Sequence, residues 1–255
     1  LAPLSSVELG GEFKLAQALQ FGTLPKCWFL HTDQDRRLFL QSYTQTYLKE
    51  EIQQEGFVRR LDSFRRFLPL VGQANGQILS WTNFAQDVGL SVKTVRAYFE
   101  ILEDTLFGFF LPAFHRSIRK RQKTHPKFYL FDTGIQRALT GELTIPLLPG
   151  TEAYGRAFEH FWIVEIMRLS EYQQLDWRFS YFATHDVEID VVIERPGKPL
   201  LFVEIKSAER LTDAALRPLR RMVSTVPGSM GICICREPRK RRVGAVLVCP
   251  WPEAL

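Results

Sequence analysis

The stretch PLLFVEIKSAE, Pro199 to Glu209, decides how the second half of this chain is read. Leu201, Phe202, Val203 and Ile205 belong to a strand meant for an interior, yet Glu204 and Lys206 interrupt it two positions apart. Side chains alternate along a strand, so the two charges share a face. An isolated Glu-x-Lys is most often a partly buried salt bridge. Such a pair adds little net stability, because desolvation costs several kcal/mol per ion and cancels most of the attraction. The pair therefore asks for a reason from outside its own strand.

The run EIDVVIE, Glu188 to Glu194, supplies one. It reads as the preceding strand, joined to the next by the turn RPGK, and its Asp190 also interrupts an apolar run. A hairpin centred near Gly197 brings Asp190 roughly opposite Glu204. Like charges in that position are destabilising unless a cation lies between them. Oxygen ligands of this kind suit magnesium, with water and a phosphate completing its shell. Lys206 could then stabilise charge developing on the phosphate or orient the attacking water. Glu159, on the helix AFEHFWIVEIMRL, would complete the acidic cluster; Glu165 competes with it, since six residues along a helix places the two on nearly opposite faces.

The chain has 255 residues, 45% hydrophobic and 13% aromatic, enough for one large core or two to three small ones. No stretch approaches the roughly 18 apolar residues of a membrane helix. A soluble, cytoplasmic protein without membrane contact is the expectation. The first residue is Leu and no secretory leader follows, so the chain reads as a piece of a longer one. Cys27, Cys233, Cys235 and Cys249 lack metal-ligand spacing and read as reduced core thiols. The five histidines show no metal spacing either. The net charge of +5 is concentrated in HRSIRKRQK (His115 to Lys123) and REPRKRR (Arg236 to Arg242). Such runs are commonly solvated loops, but two of them point to a polyanion, nucleic acid before membrane.

Three segments differ in character. Residues 1–60 read as helical, with one amphipathic helix of about five turns over RRLFLQSYTQTYLKEEIQQ. Residues 61–132 read as a helix, then Trp81 to Val88, a turn at Gly89, and a further helix capped by Ser91. Strands near Phe107 to Phe114 and Lys127 to Phe131 flank the basic run as a wing. In a DNA complex this helix-turn-helix would present Ser91, Lys93, Thr94 and Arg96 to a groove, with Arg116, Arg119, Lys120, Arg121 and Lys123 on phosphates. Winged helices also serve as protein-binding modules. Residues 133–255 read as helix, three strands, helix, strand, strand, a mixed sheet flanked by helices. Asp132 reads as the cap of a short helix, and Arg36 and Arg37 either as solvated charges or as phosphate-sensing groups of an ATPase.

An acid on the first helix, an acid on the second strand and E-x-K on the third resemble the PD-(D/E)xK nuclease superfamily, with Glu159, Asp190, Glu204 and Lys206 at its signature positions. The succession RRLFLQSYTQTYLKEEI, VGLSVKTVRAYFEILEDTLF, PKFYLFDTGIQRAL and YGRAFEHFWIVEI also resembles the C-terminal part of prokaryotic AAA-superfamily ATPases carrying domain of unknown function 4143. The fold class this implies is α/β (α+β): a helical N-terminal segment from the tail of an ATPase lid, a winged helix-turn-helix, and a restriction-endonuclease-like mixed sheet. The resemblance implies a nucleic-acid partner, DNA first, and an ATPase module outside this chain, which has no P-loop motif of its own. Magnesium-dependent phosphodiester cleavage and non-catalytic binding on a retained fold both stay open, as does the oligomeric state, a homo-oligomer included.

Overall fold

The computed structural model describes residues 2–47, 61–115 and 125–254. They form two compact units, residues 1–110 with 125–147 and residues 111–124 with 148–255.

The first unit is largely helical. Helices α1 (Ser6–Leu9), α2 (Leu15–Phe21), α3 (Pro25–Trp28) and α4 (Asp33–Ser42) open it. The long helix expected from Arg36 starts earlier, at Asp33, because the Thr32 hydroxyl accepts the Asp35 N–H at 3.1 Å. It widens into a π turn at Tyr43–Tyr47, and the rest of that expected helix lies outside the described residues. Helices α5 (Leu61–Ala74), α6 (Trp81–Val88) and α7 (Val92–Asp104) follow. Gly89, at φ 70°, ends α6 in the left-handed conformation that glycine adopts at no steric cost, and the Ser91 hydroxyl caps α7. Phe64, Phe67 and Leu68 on α5 repeat at helical spacing and meet Phe84 and Phe99 in one core. The Phe99 ring lies 5.0 Å from Phe67, 5.1 Å from Phe84 and 4.9 Å from Phe128, all edge-to-face. Strands β1 (Gly108–Leu111) and β2 (Lys127–Leu130) form a two-stranded sheet.

Helix α8 (Thr133–Leu139) packs on α2. Its cap, Asp132, is buried, accepts the Ile135 N–H at 3.0 Å and reaches across to the Thr23 N–H at 2.8 Å. Gln20 then holds the outgoing chain, donating to the Leu143 carbonyl and accepting from the Leu147 N–H. These bonds explain why residues 133–147 join the first unit and not the C-terminal sheet with which the sequence grouped them.

The second unit is built on a six-stranded mixed sheet in the order β3-β4-β5-β6-β8-β7. Helix α9 (Glu152–Tyr172) precedes strands β3 (Arg178–Ala183), β4 (Glu188–Glu194) and β5 (Leu201–Ile205). Helix α10 (Asp213–Thr225) and strands β6 (Met230–Cys235), β7 (Arg241–Val243) and β8 (Val246–Pro250) complete it. Antiparallel pairing joins β3 to β4 and β4 to β5, while β5, β6 and β8 run parallel. Leu216, Leu219, Met222 and Val223 of α10 pack against Val192, Phe202, Cys233 and Val246 of the sheet. The four cysteines are buried, and none is joined in a disulfide. The basic run REPRKRR is irregular over residues 236–240 and enters a strand only at its end. Its Arg241 opens the edge strand β7, and its guanidinium meets Glu237 at 2.7 and 2.9 Å, which neutralises part of the run.

Asp132 ties two distant segments together while capping a helix, so Asp132→Ala should destabilise the chain by about 2–4 kcal/mol, the sum of a lost cap and a lost buried hydrogen bond to a carboxylate. Urea unfolding measures this; a loss under about 1 kcal/mol would contradict the role given to Asp132.

Candidate functional site

The E-x-K strand and its neighbours converge at one end of the second unit's sheet. Strand β5 pairs with β4 through Val191↔Val203, Val192↔Phe202 and Ile193↔Leu201, with Gly197 at φ 68° in the connecting turn. One step further the same register would set Asp190 against Glu204, as the hairpin argument required. Pairing stops before that step. The Asp190 carboxylate itself accepts the Ile205 N–H at 2.7 Å, taking a position that a backbone carbonyl holds elsewhere in the ladder. On the other side of β5, the Lys206 N–H continues the parallel pairing to the Ile234 carbonyl at 2.9 Å.

Asp190 and Glu204 are both buried, 5% and 4% exposed. Glu204 Oε1 meets Lys206 Nζ at 2.6 Å, so the salt bridge anticipated for Glu-x-Lys is present. It uses only one carboxylate oxygen. Glu204 Oε2 is buried with no hydrogen-bond partner. An orphaned buried carboxyl oxygen costs the desolvation of a polar group with nothing in return. Burial first, then the charges of Asp190 and Glu159, push the Glu204 carboxyl up to about 8, and Lys206 offsets them only in part. Burial opposes the charged form of Lys206, yet Asp190, Glu204 and Glu159 outweigh it and hold the ammonium above its ordinary range.

Glu159 is half-buried on α9 and acts electrostatically on both Glu204 and Lys206. Its rival Glu165 is fully buried and lies 3.5 Å from Arg168 on the same helix, so Glu159 is the acid directed to the cluster. The start of α9 reaches the same sheet end: a Cβ at Gly155 would lie 3.6 Å from Ser207 Oγ. Three residues not anticipated from sequence join here. Arg236 follows β6, donates its N–H to the Ala208 carbonyl at 3.0 Å, meets Glu209 at 2.7 Å and lies 5.2 Å from the Tyr154 ring centre. The signal available in the sequence was position alone, an arginine directly after the strand that pairs parallel with E-x-K.

Among the described residues, no three His, Cys, Asp or Glu side chains stand close enough together to hold a metal unaided. Asp190 and Glu204 can contribute two oxygen ligands, and a hard cation that keeps water and substrate phosphate in its shell needs no more from the protein. The orphaned Glu204 oxygen fits that donor role. Elsewhere, Lys93 and Arg96 of α7 are exposed, and Arg96 lies 5.1 Å from the Trp81 ring centre. Ser91 and Thr94 are engaged with each other, hydroxyl to hydroxyl at 2.8 Å, within the cap of α7. Arg116, Arg119, Lys120, Arg121 and Lys123 lie outside the described residues.

The raised Glu204 value has a signed consequence. The folded chain holds the Glu204 proton up to about pH 8, whereas the unfolded chain releases it near the ordinary 4.5. Stability contributed by the protonated form is thus present at low pH and falls as pH rises between those values, by on the order of 3–5 kcal/mol. Glu204→Gln escapes this loss. With divalent metal removed by chelator, its unfolding midpoint should match the wild type near pH 5 and exceed it near pH 9; a difference that stays constant across that range would contradict the electrostatic assignment.

Comparison with known proteins agrees with the division into two units. Residues 154–254 match the family model described as Domain of unknown function (DUF4143), which covers the sheet and α9 but not the helical segments also included in the resemblance read from sequence. Two uncharacterized proteins, one from Mycobacterium bovis and one from Mycobacterium tuberculosis, are each 28% identical over 214 residues, which is 81% of this chain. The chain spans about half the length of these relatives, 48% of each. No solved structure matches it. The matching model for residues 12–144 takes in more than half of the sequence, and the chain belongs to the family described as Domain of unknown function (DUF8612).

Proposed function

We propose that this chain acts on DNA, and that its second unit is a PD-(D/E)xK nuclease-like domain hydrolysing phosphodiester bonds with magnesium. The observation that carries the reading is the buried Glu204 carboxyl, whose second oxygen has no partner while Asp190 and Glu159 oppose its ionisation. A fold does not retain such a group for stability. Asp190 and Glu204 would hold the metal. When bound, it would polarise a phosphate oxygen and make water a better nucleophile. Lys206, half-exposed and charged throughout the physiological range, stands beside this pair as a cation for the phosphate and holds Glu204 in place through Oε1. Glu159 adds negative potential that favours a cation over an anion at this point.

In the first unit, α6, the Gly89 turn, α7 and the β1–β2 sheet support a winged helix-turn-helix, with Lys93 and Arg96 as duplex contacts. An ATPase module as partner belongs to the same proposal and rests on the sequence resemblance. Among the described residues no helix is long and apolar enough to cross a membrane, and four buried free thiols fit a reducing cytoplasm.

A second reading has its own support, since the wild-type Glu204 is already paired to Lys206 without any metal. In that reading the unit is a non-catalytic binding module on a retained nuclease fold. Supercoiled plasmid and linear duplex incubated with magnesium or manganese separate the two. Cleavage by the wild type that falls by about 100-fold or more in Lys206→Ala fits the loss of one electrostatic contributor to the transition state. DNA left equally intact by both proteins, with salt-sensitive binding retained, would leave the binding module.

A further inference from the structure

Helix α10 begins eight residues after Ile205 and packs across β4, β5, β6 and β8 of the sheet that carries the carboxylates. Its inner face is Leu216, Leu219, Met222 and Val223, all buried. Its outer face carries Arg217, Arg220 and Arg221, all exposed. Positions three and four apart are neighbours on a helix surface, so Arg217 faces both of the others, and like charges so placed repel. No carboxylate relieves them: the helix has a single acid, Asp213, in its first turn, and none of the three guanidinium groups has an ion-pair partner among the described residues. Arg156, Arg168, Arg236 and Arg241 of the same unit each meet a carboxylate; what sets α10 apart is that three guanidinium groups share one helix face with no carboxylate between them.

We propose that this arginine face of α10 is a phosphate-backbone contact that holds nucleic acid on the second unit. The inference rests on the DNA-acting reading above and adds a surface that neither the wing nor the carboxylate site includes. Three features favour a nucleic-acid backbone. The charges are all guanidinium, whose planar fork matches phosphate oxygens two at a time. They follow one another along a ridge about 6 Å long, at 1.5 Å rise per residue, which suits a chain of repeated phosphates. No large apolar side chain of α10 is exposed, so the helix has nothing to insert into a lipid surface.

The test compares the wild-type chain with the same chain carrying Arg217→Gln, Arg220→Gln and Arg221→Gln, in chelator so that cleavage plays no part. Glutamine keeps the helical propensity and the side-chain length while removing the charge. Affinity for a fluorescent duplex is measured over a range of salt. Each phosphate contact contributes about 0.9 to the slope of log affinity against log salt, so the slope should flatten by about 2 to 3, with affinity reduced at least ~10-fold near 100 mM salt. The unfolding midpoint should not fall. If the parent binds duplex and the arginine variant binds it with the same slope and affinity, this surface is wrong while the DNA reading stands. If the parent binds no duplex at all, both fall. Loss of binding to anionic phospholipid vesicles, with duplex binding untouched, would assign the face to a membrane and overturn the proposal.

Discussion

The second unit turns on one buried carboxyl. Glu204 sits on a central strand, hydrogen-bonded to Lys206 through one oxygen and to nothing through the other, with Asp190 and Glu159 near enough to raise its proton affinity. Water would solvate such a group at no cost, and an apolar residue would fill the space without charge. The strand keeps a carboxyl in a place where burial and like charge both oppose ionisation. In the proposed reading, a divalent cation held between Asp190 and Glu204 would make these charges mutually favourable.

The rest of the fold reads as a frame for that point. The β4–β5 hairpin brings Asp190 to β5, and the early end of their pairing lets its carboxylate take the Ile205 N–H instead of a ladder carbonyl. The parallel pairing of β5 with β6 fixes Lys206 from the other side, through the Ile234 carbonyl, and places Arg236 at the same sheet end. Helix α9 adds Glu159, while its buried Glu165 is consumed by Arg168. Under the sheet, α10 buries four apolar side chains and leaves three arginines outside. Scaffold, charge and surface thus come from one continuous stretch of chain around the E-x-K strand, from Glu159 to Arg236.

Much of this was legible in the residues, and the reasons are specific. Glu188–Glu194 was recovered as a strand because a short β-branched apolar run bounded by a Pro-Gly turn has few other solutions. Gly89 and Ser91 marked the ends of two helices because a left-handed C-cap and a hydroxyl N-cap are local chemistry. What sequence could not supply was anything decided by partners far along the chain. The grouping of 133–147 with the N-terminal helices depends on Asp132 reaching Thr23 and on Gln20 reaching Leu143 and Leu147. The orphaned oxygen of Glu204 is equally invisible, since the spacing E-x-K predicts a pair but not which oxygen is left over.

The most direct test of a divalent-cation site is anomalous diffraction from a crystal of the wild-type chain soaked in manganese. A peak within bonding distance of both Asp190 and Glu204, with Glu204 Oε2 among the ligands, is the predicted result. Manganese bound only elsewhere, with Glu204 still held by Lys206 alone, would contradict it.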